Sequence, residues 1–218
     1  MRVYASHALE FSAERQAHFA SLLDPAESAR AARFVFDKHR RRFIAAHGFV
    51  REVFARETGG DARAFAFELG PNGKPRLAGV DLHFNLTHTG EHALLAVGER
   101  ELGLDAEEIR GERVDGPLAR RVMTDPEFAS WSRAARDEQI QAFFRLWSAK
   151  ESVMKATGLG MQLSPSSFAV FAPGTLEFAE SVAIEADTWT LRELAGPPDI
   201  AVALATQGLV QVSQLAFE

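Results

Sequence analysis

Ile140, Phe143, Phe144 and Trp147 recur at steps of three and four, which predicts the buried face of a helix running from Asp137 to Thr157 and stopped by Gly158. The next positions along that face are Lys150 and Glu151, then Met154 and Lys155. Charge beside a core-facing stripe is costly unless something pairs with it, so a metal, a phosphate or an opposite charge is expected there. A surface ion pair between Glu151 and Lys155 at i,i+4 is the plainer alternative. A second long helix is predicted from Lys38 to Glu57 through Ile44, His47, Val50 and Phe54, stopped by Gly59-Gly60. Asp24-Pro25-Ala26-Glu27 and Thr124-Asp125-Pro126-Glu127 both read as helix starts, and Gly116 to Val122 as a short helical stretch.

Elsewhere the period drops to two. Strands are predicted at Arg2–Ala5, Arg63–Glu68, Leu82–Thr87, His92–Val97 and Glu101–Ile109. Five more follow at Ser167–Phe171, Val182–Ala186, Thr188–Leu194, Ile200–Ala205 and Val210–Leu215. The Thr89-Gly90-Glu91 turn makes the third and fourth strands a hairpin with His88 near its tip. In the fifth strand Asp105 and Glu107 share one face, about 7 Å apart. Two hard oxygen donors there, joined by Glu151 from the distant helix, would supply the protein side of a magnesium site. An acidic turn entering a solvated loop, with Glu108 and Glu112, is the competing reading. Pro71-Asn72-Gly73-Lys74-Pro75 is a turn that points Lys74 at an anion or leaves it on a plain surface.

With 46% apolar and 25% charged residues over 218 positions, the chain reads as a globular protein long enough to bury a substantial core. Cysteine is absent, which excludes disulfides, thiolate zinc sites and cysteine nucleophiles. No apolar run approaches the ~20 residues of a membrane span, so a cytoplasmic location with no membrane contact is expected. The net charge of −6 disfavours nucleic-acid binding. Yet Arg30, Arg33, Lys38, Arg40, Arg41 and Arg42 stand against the single Asp37, a local +5 suited to a compact anion such as a phosphorylated nucleotide. A solvated helical face is the alternative for several of them.

Four elements in order, Gly73-Lys74-Pro75, Phe84-Asn85-Leu86-Thr87-His88-Thr89, Gly103-Leu104-Asp105-Ala106-Glu107 and Trp147-Ser148-Ala149-Lys150-Glu151 with Lys155, resemble the surfactin-type 4'-phosphopantetheinyl transferases. That resemblance implies an α/β (α+β) fold of two similar subdomains, 1–100 and 101–218, related by a pseudo-twofold with the active site in the cleft between them. It implies a monomer that moves 4'-phosphopantetheine from coenzyme A to a serine of an apo acyl, peptidyl or aryl carrier protein. Arg30, with Arg33 and Arg42, would take the coenzyme's 3'-phosphate; Lys74, Thr87, His88 and Lys155 would meet the coenzyme or its pyrophosphate. Asp105, Glu107 and Glu151 would hold Mg2+. Glu151 or a metal-held water would take the serine proton, and Lys155 would steady the leaving phosphate. Trp147 is expected to be a packing anchor.

The chain departs from the pattern in places. Thr87 and Thr89 replace serines but keep hydroxyls, Glu27 replaces a basic residue, and Phe43 replaces a hydroxyl. Ala106 stands where a larger residue is common, which suggests room for water at the metal. A carrier is expected to dock on Val122, Met123 and Phe128 with Arg120, Arg121 or Arg133. A metal-dependent phosphoesterase and a non-catalytic coenzyme A or carrier-binding module are the rival readings.

Overall fold

The computed structural model describes residues 1–6, 11–70, 72–111 and 114–216. Strand β1 (Arg2–Ser6) is followed by helices α1 (Ala13–Leu22), α2 (Pro25–Ala32) and α3 (Asp37–Thr58). Short strands β2 (Phe67–Leu69) and β3 (Pro75–Leu77) pair with each other, and β4 (His83–Thr89) and β5 (His92–Gly98) form the expected hairpin. The second half runs β6 (Leu102–Glu108), α4 (Gly116–Val122), α5 (Asp125–Trp131), α6 (Arg136–Thr157), β7 (Ser181–Ile184), β8 (Asp187–Glu193), β9 (Ile200–Gln207) and β10 (Ser213–Ala216). Mixed α+β architecture follows, as the family resemblance implies.

Two four-stranded sheets, ordered β10-β1-β5-β4 and β6-β9-β8-β7, form the centre. Val3, Leu94 and Ala96 of one sheet meet Leu104, Val202 and Leu204 of the other in an inner apolar layer. Helix α3 covers the outer face of the first sheet through Phe49, Val53 and Phe54, and α6 covers the second through Phe143, Leu146 and Val153. The layers therefore run helix, sheet, sheet, helix. The last strand, β10, returns to the first sheet and pairs in parallel with β1.

Each half contains the same internal strut. Arg51 and Lys150 are both fully buried, each fourteen residues beyond the first residue of a 22-residue helix. Arg51 donates to Glu27 at 2.8 Å, Asp24 at 2.9 Å and the carbonyls of Ala62 and Phe65 at 3.0 and 2.9 Å. Lys150 donates to Glu127 at 2.8 Å and the carbonyls of Pro165 and Phe168 at 2.7 and 2.6 Å. Glu27 and Glu127 are in turn the third residues of α2 and α5, where each closes a capping box. Both long helices end on a left-handed glycine, Gly59 and Gly158, each with φ of 70°.

The struts explain two predicted strands that do not form. Phe65 and Ala62 give their carbonyls to Arg51, and Arg63 N–H turns back to Asp61, so strand β2 begins only at Phe67. Over Ser167–Phe171 the Phe168 carbonyl goes to Lys150, while the Val170 and Phe171 N–H groups go to Glu127. Side chains have taken the backbone groups that a sheet ladder needs. Only an isolated bridge between Phe171 and Phe178 remains. The final strand also starts later than predicted, at Ser213.

Candidate functional site

Strand β4 sorts the site into two faces by its period of two. Phe84 and Leu86 face α3 in the first core, which places exposed His88 on that side by alternation. Asn85, Thr87 and Thr89 face β6: Asn85 accepts from Leu104 N–H at 2.8 Å, and Thr89 accepts from Glu108 N–H at 3.0 Å. The two sheets are thus stitched at β4 and β6 by side chains instead of a backbone ladder.

Helix α6 is pressed on β6 through Gly103. A Cβ there would lie 2.0 Å from the Ser152 carbonyl and 2.3 Å from Ala156 N, so only glycine allows this approach. Buried Ser148 also donates to the Asp105 carbonyl at 2.9 Å. These contacts bring Asp105 and Glu107 of β6 opposite Glu151 and Lys155 of α6. Lys155 Nζ lies 2.6 Å from Asp105 Oδ1, 3.4 Å from Thr87 Oγ1 and 3.9 Å from Glu151 Oε2. Asp105 is 3% exposed, and its Oδ2 is buried with no hydrogen-bond partner among the described residues.

Glu107 is pushed up to about 7 by burial and by the charges of Asp105 and Glu151, against the opposing indole bond of Trp147 and the charge of Lys155. Glu151 is raised by burial first and by Asp105 second, with Lys155 opposing. Hard oxygens, mutual repulsion and an orphaned Asp105 oxygen fit a small divalent cation. Among the described residues no three of these side chains already converge as a ready-made cage, because the Lys155 ammonium stands between them.

Lys150 is paired with an opposite charge, Glu127, one of the three possibilities that the sequence allows. Trp147 does more than pack, since its indole N–H donates to Glu107 at 3.0 Å. Lys74 gives its three donors to Glu101 at 2.7 Å and to the Leu102 and Ala156 carbonyls at 3.0 Å, tying the first half to α6. Pro71, which heads its turn, lies outside the described residues, as does Glu112.

The basic cluster divides. Exposed Arg30 stacks on Phe43 with its guanidinium carbon 5.1 Å from the ring centroid, and Phe43 in turn lies 4.0 Å from the His47 ring. Arg33 is exposed, and Arg42 pairs with Glu91 from the hairpin turn. Glu27 points inward to Arg51 and His47, so it takes no place on the basic surface. Its carboxyl suffers burial, but bonds from His47, Arg51 and the Asp24 N–H outweigh that and hold it down at about 2.

Other expectations change. Ala106 belongs to the inner layer between sheets, on the opposite face from Asp105, so its small size opens nothing at the carboxylates. Val122 and Met123 are core residues at 6% and 3% exposure, because both pack into the apolar cluster of the second half; neither can form a docking surface. Phe128 is partly buried beneath Arg120, whose guanidinium carbon sits 3.9 Å from the ring centroid. Sequence reasoning missed Glu91, Glu101 and the link from Glu127 to Lys150. Only the Glu127 capping box left a local signal.

Comparison with known proteins bears on this arrangement. A family model for the 4'-phosphopantetheinyl transferase superfamily matches residues 101–205, and one for the 4'-phosphopantetheinyl transferase N-terminal region matches residues 10–100. The 4'-phosphopantetheinyl transferase HetI of Nostoc sp. is 35% identical over 198 residues, covering 87% of this chain and 80% of that protein. The 4'-phosphopantetheinyl transferase Sfp of Bacillus subtilis is 29% identical over 160 residues, covering 73% and 70%. Such identity over most of both chains, with family models matching residues 10–100 and 101–205, shows that the chain belongs to the 4'-phosphopantetheinyl transferase family.

Proposed function

We propose that the chain transfers the 4'-phosphopantetheine of coenzyme A to a serine hydroxyl of an apo acyl, peptidyl or aryl carrier protein and releases adenosine 3',5'-bisphosphate. The observation that carries this reading is the buried Asp105 carboxylate of β6, shared between Lys155 and Thr87 with one oxygen left over, where Thr87 belongs to β4, the strand whose other face turns to the basic helix α3. Acid groups for a cation and basic groups for a phosphate lie on the two sides of β4.

Asp105, Glu107 and Glu151 are the residues that would hold Mg2+, whose charge, when bound, offsets the charge that develops on the diphosphate. Arg30, Arg42 and His88 are assigned to the 3'-phosphate, with Arg33 beside them. Lys74 is left out of this grip, since its three N–H groups are already taken. Thr87 presents a hydroxyl to the same region as Lys155.

The serine oxygen forms a new bond to the phosphorus that carries pantetheine, and the bond from that phosphorus to the bridging oxygen breaks. Glu151, which faces Lys155 across the site, takes the serine proton. Lys155 moves from Asp105 to the departing phosphate oxygen and stabilises it. Mixing the protein with coenzyme A, Mg2+ and a panel of apo carriers, then weighing the carriers, tests the reading. A carrier heavier by one phosphopantetheine, with an equal amount of adenosine 3',5'-bisphosphate, is expected. Nucleotide release from coenzyme A with every carrier unmodified would assign a phosphoesterase instead.

A further inference from the structure

Glu91 stands where no partner of a phosphate is wanted. It is the second residue of the two-residue turn between β4 and β5, where Thr89 pairs with His92 and Gly90 takes a φ of 54°. From there its Oε1 accepts from Arg42 Nη2 and lies 3.8 Å from Lys38 Nζ. The pair is badly completed. Glu91 Oε2 and Arg42 Nε are both buried without a hydrogen-bond partner among the described residues. An arginine and a carboxylate joined side by side would satisfy both oxygens and two nitrogens, whereas here one contact leaves two polar atoms idle.

A phosphate monoester presents three terminal oxygens in a tetrahedral array. It can engage Arg42 through two nitrogens while also reaching Lys38, whereas the turn-bound carboxylate meets Arg42 through a single nitrogen. We propose that Glu91 is a built-in competitor for the 3'-phosphate: it occupies Arg42 and Lys38 in the free protein, is displaced when coenzyme A binds, and reclaims both cations to help expel adenosine 3',5'-bisphosphate. This inference rests on the reading above that Arg42 takes the 3'-phosphate. It makes Glu91 a positioning residue that sets the affinity for substrate and nucleotide product together, and it bears only on ligands that carry the 3'-phosphate.

The test is calorimetric binding of coenzyme A, 3'-dephospho-coenzyme A and adenosine 3',5'-bisphosphate to the natural chain and to Glu91→Gln, at low salt and at high salt. Glu91→Gln should bind coenzyme A and the bisphosphate about fivefold tighter, the effect of removing one like charge a few ångströms away at a partly solvated site. Binding of the dephospho ligand should not change, and the gain should shrink at high salt. Glu91→Ala removes the same charge and should show the same pattern, which guards against a folding defect in one variant. If the natural chain prefers coenzyme A over the dephospho form but both variants bind it equally or more weakly than the natural chain does, the competitor role is overturned while the phosphate site stands. If the natural chain does not distinguish the two coenzymes, the assignment of the phosphate site falls, and the inference with it.

Discussion

Replacing Lys150 with Met should destabilise the fold without touching the chemistry. The Lys150 side chain is fully buried and spends its three N–H donors on Glu127 and on the carbonyls of Pro165 and Phe168. Glu127 is 3% exposed and, besides Lys150, accepts from Thr124 and from the N–H groups of Val170 and Phe171. Met fills much of the same volume, so little apolar contact is lost. What remains is a buried carboxylate without its cation and two carbonyls without a donor. Breaking a buried pair from one side costs about 3–5 kcal/mol. For a chain of this size each kcal/mol moves Tm by roughly 2–4 °C, so a fall of about 10 °C is expected. Urea unfolding followed by far-ultraviolet circular dichroism measures it. Glu127→Leu and the double variant complete a cycle, in which the coupling energy should be about 2 kcal/mol or more. A Lys150→Met cost below about 1 kcal/mol, or additive single changes, would refute the strut.

The other predictions concern the site and its supports. Gly103→Ala should force β6 off α6, because its Cβ would meet backbone atoms at 2.0 and 2.3 Å; turnover should fall by at least about tenfold and Tm should drop, and near-normal values of both would show that the two elements are not held in register there. Glu27 has its carboxyl held down at about 2, so the stability it contributes is present above about pH 4.5 and is lost as pH falls toward 2. The stability gap between the natural chain and Glu27→Gln should therefore narrow by about 2 kcal/mol from pH 6 to pH 3 in urea titrations; a constant gap would contradict the assigned bonds. Arg30→Ala should weaken coenzyme A binding by about tenfold and 3'-dephospho-coenzyme A binding much less, and equal losses would make Arg30 a structural partner of Phe43 alone.

Much of the fold was legible because its signals are local. Asp24 and Thr124 with their third-residue glutamates, and Gly59 and Gly158 at the helix ends, act through backbone groups within a turn of themselves. The hairpin around Gly90 is of the same kind. Strands at Arg63–Glu68 and Ser167–Phe171 fail for a reason no window of sequence contains: Arg51, Lys150 and Glu127 reach in from distant helices and claim their backbone. Nor does alternation show that β10 pairs with β1, some two hundred positions away. In the site, the carboxylates and Lys155 stood out as charges on apolar elements. Lys74 looked equally available but closes a long-range network with Glu101, and Glu91 looked like an ordinary turn residue. Motif order identifies such residues, whereas only their partners separate a ligand-binding group from a strut.

The central claim is that Asp105, Glu151 and Lys155 act at one catalytic centre across β6 and α6. The most direct measurement is kcat/KM for apo-carrier modification, read by carrier mass, in the natural chain and in Glu151→Gln, each with and without excess Mg2+ and with circular dichroism confirming the fold. The account predicts that the natural chain requires the metal and that Glu151→Gln loses about a hundredfold or more of its kcat/KM while staying folded, since it removes both a metal-facing oxygen and the proposed base. A folded Glu151→Gln protein working within about threefold of the natural chain would contradict it.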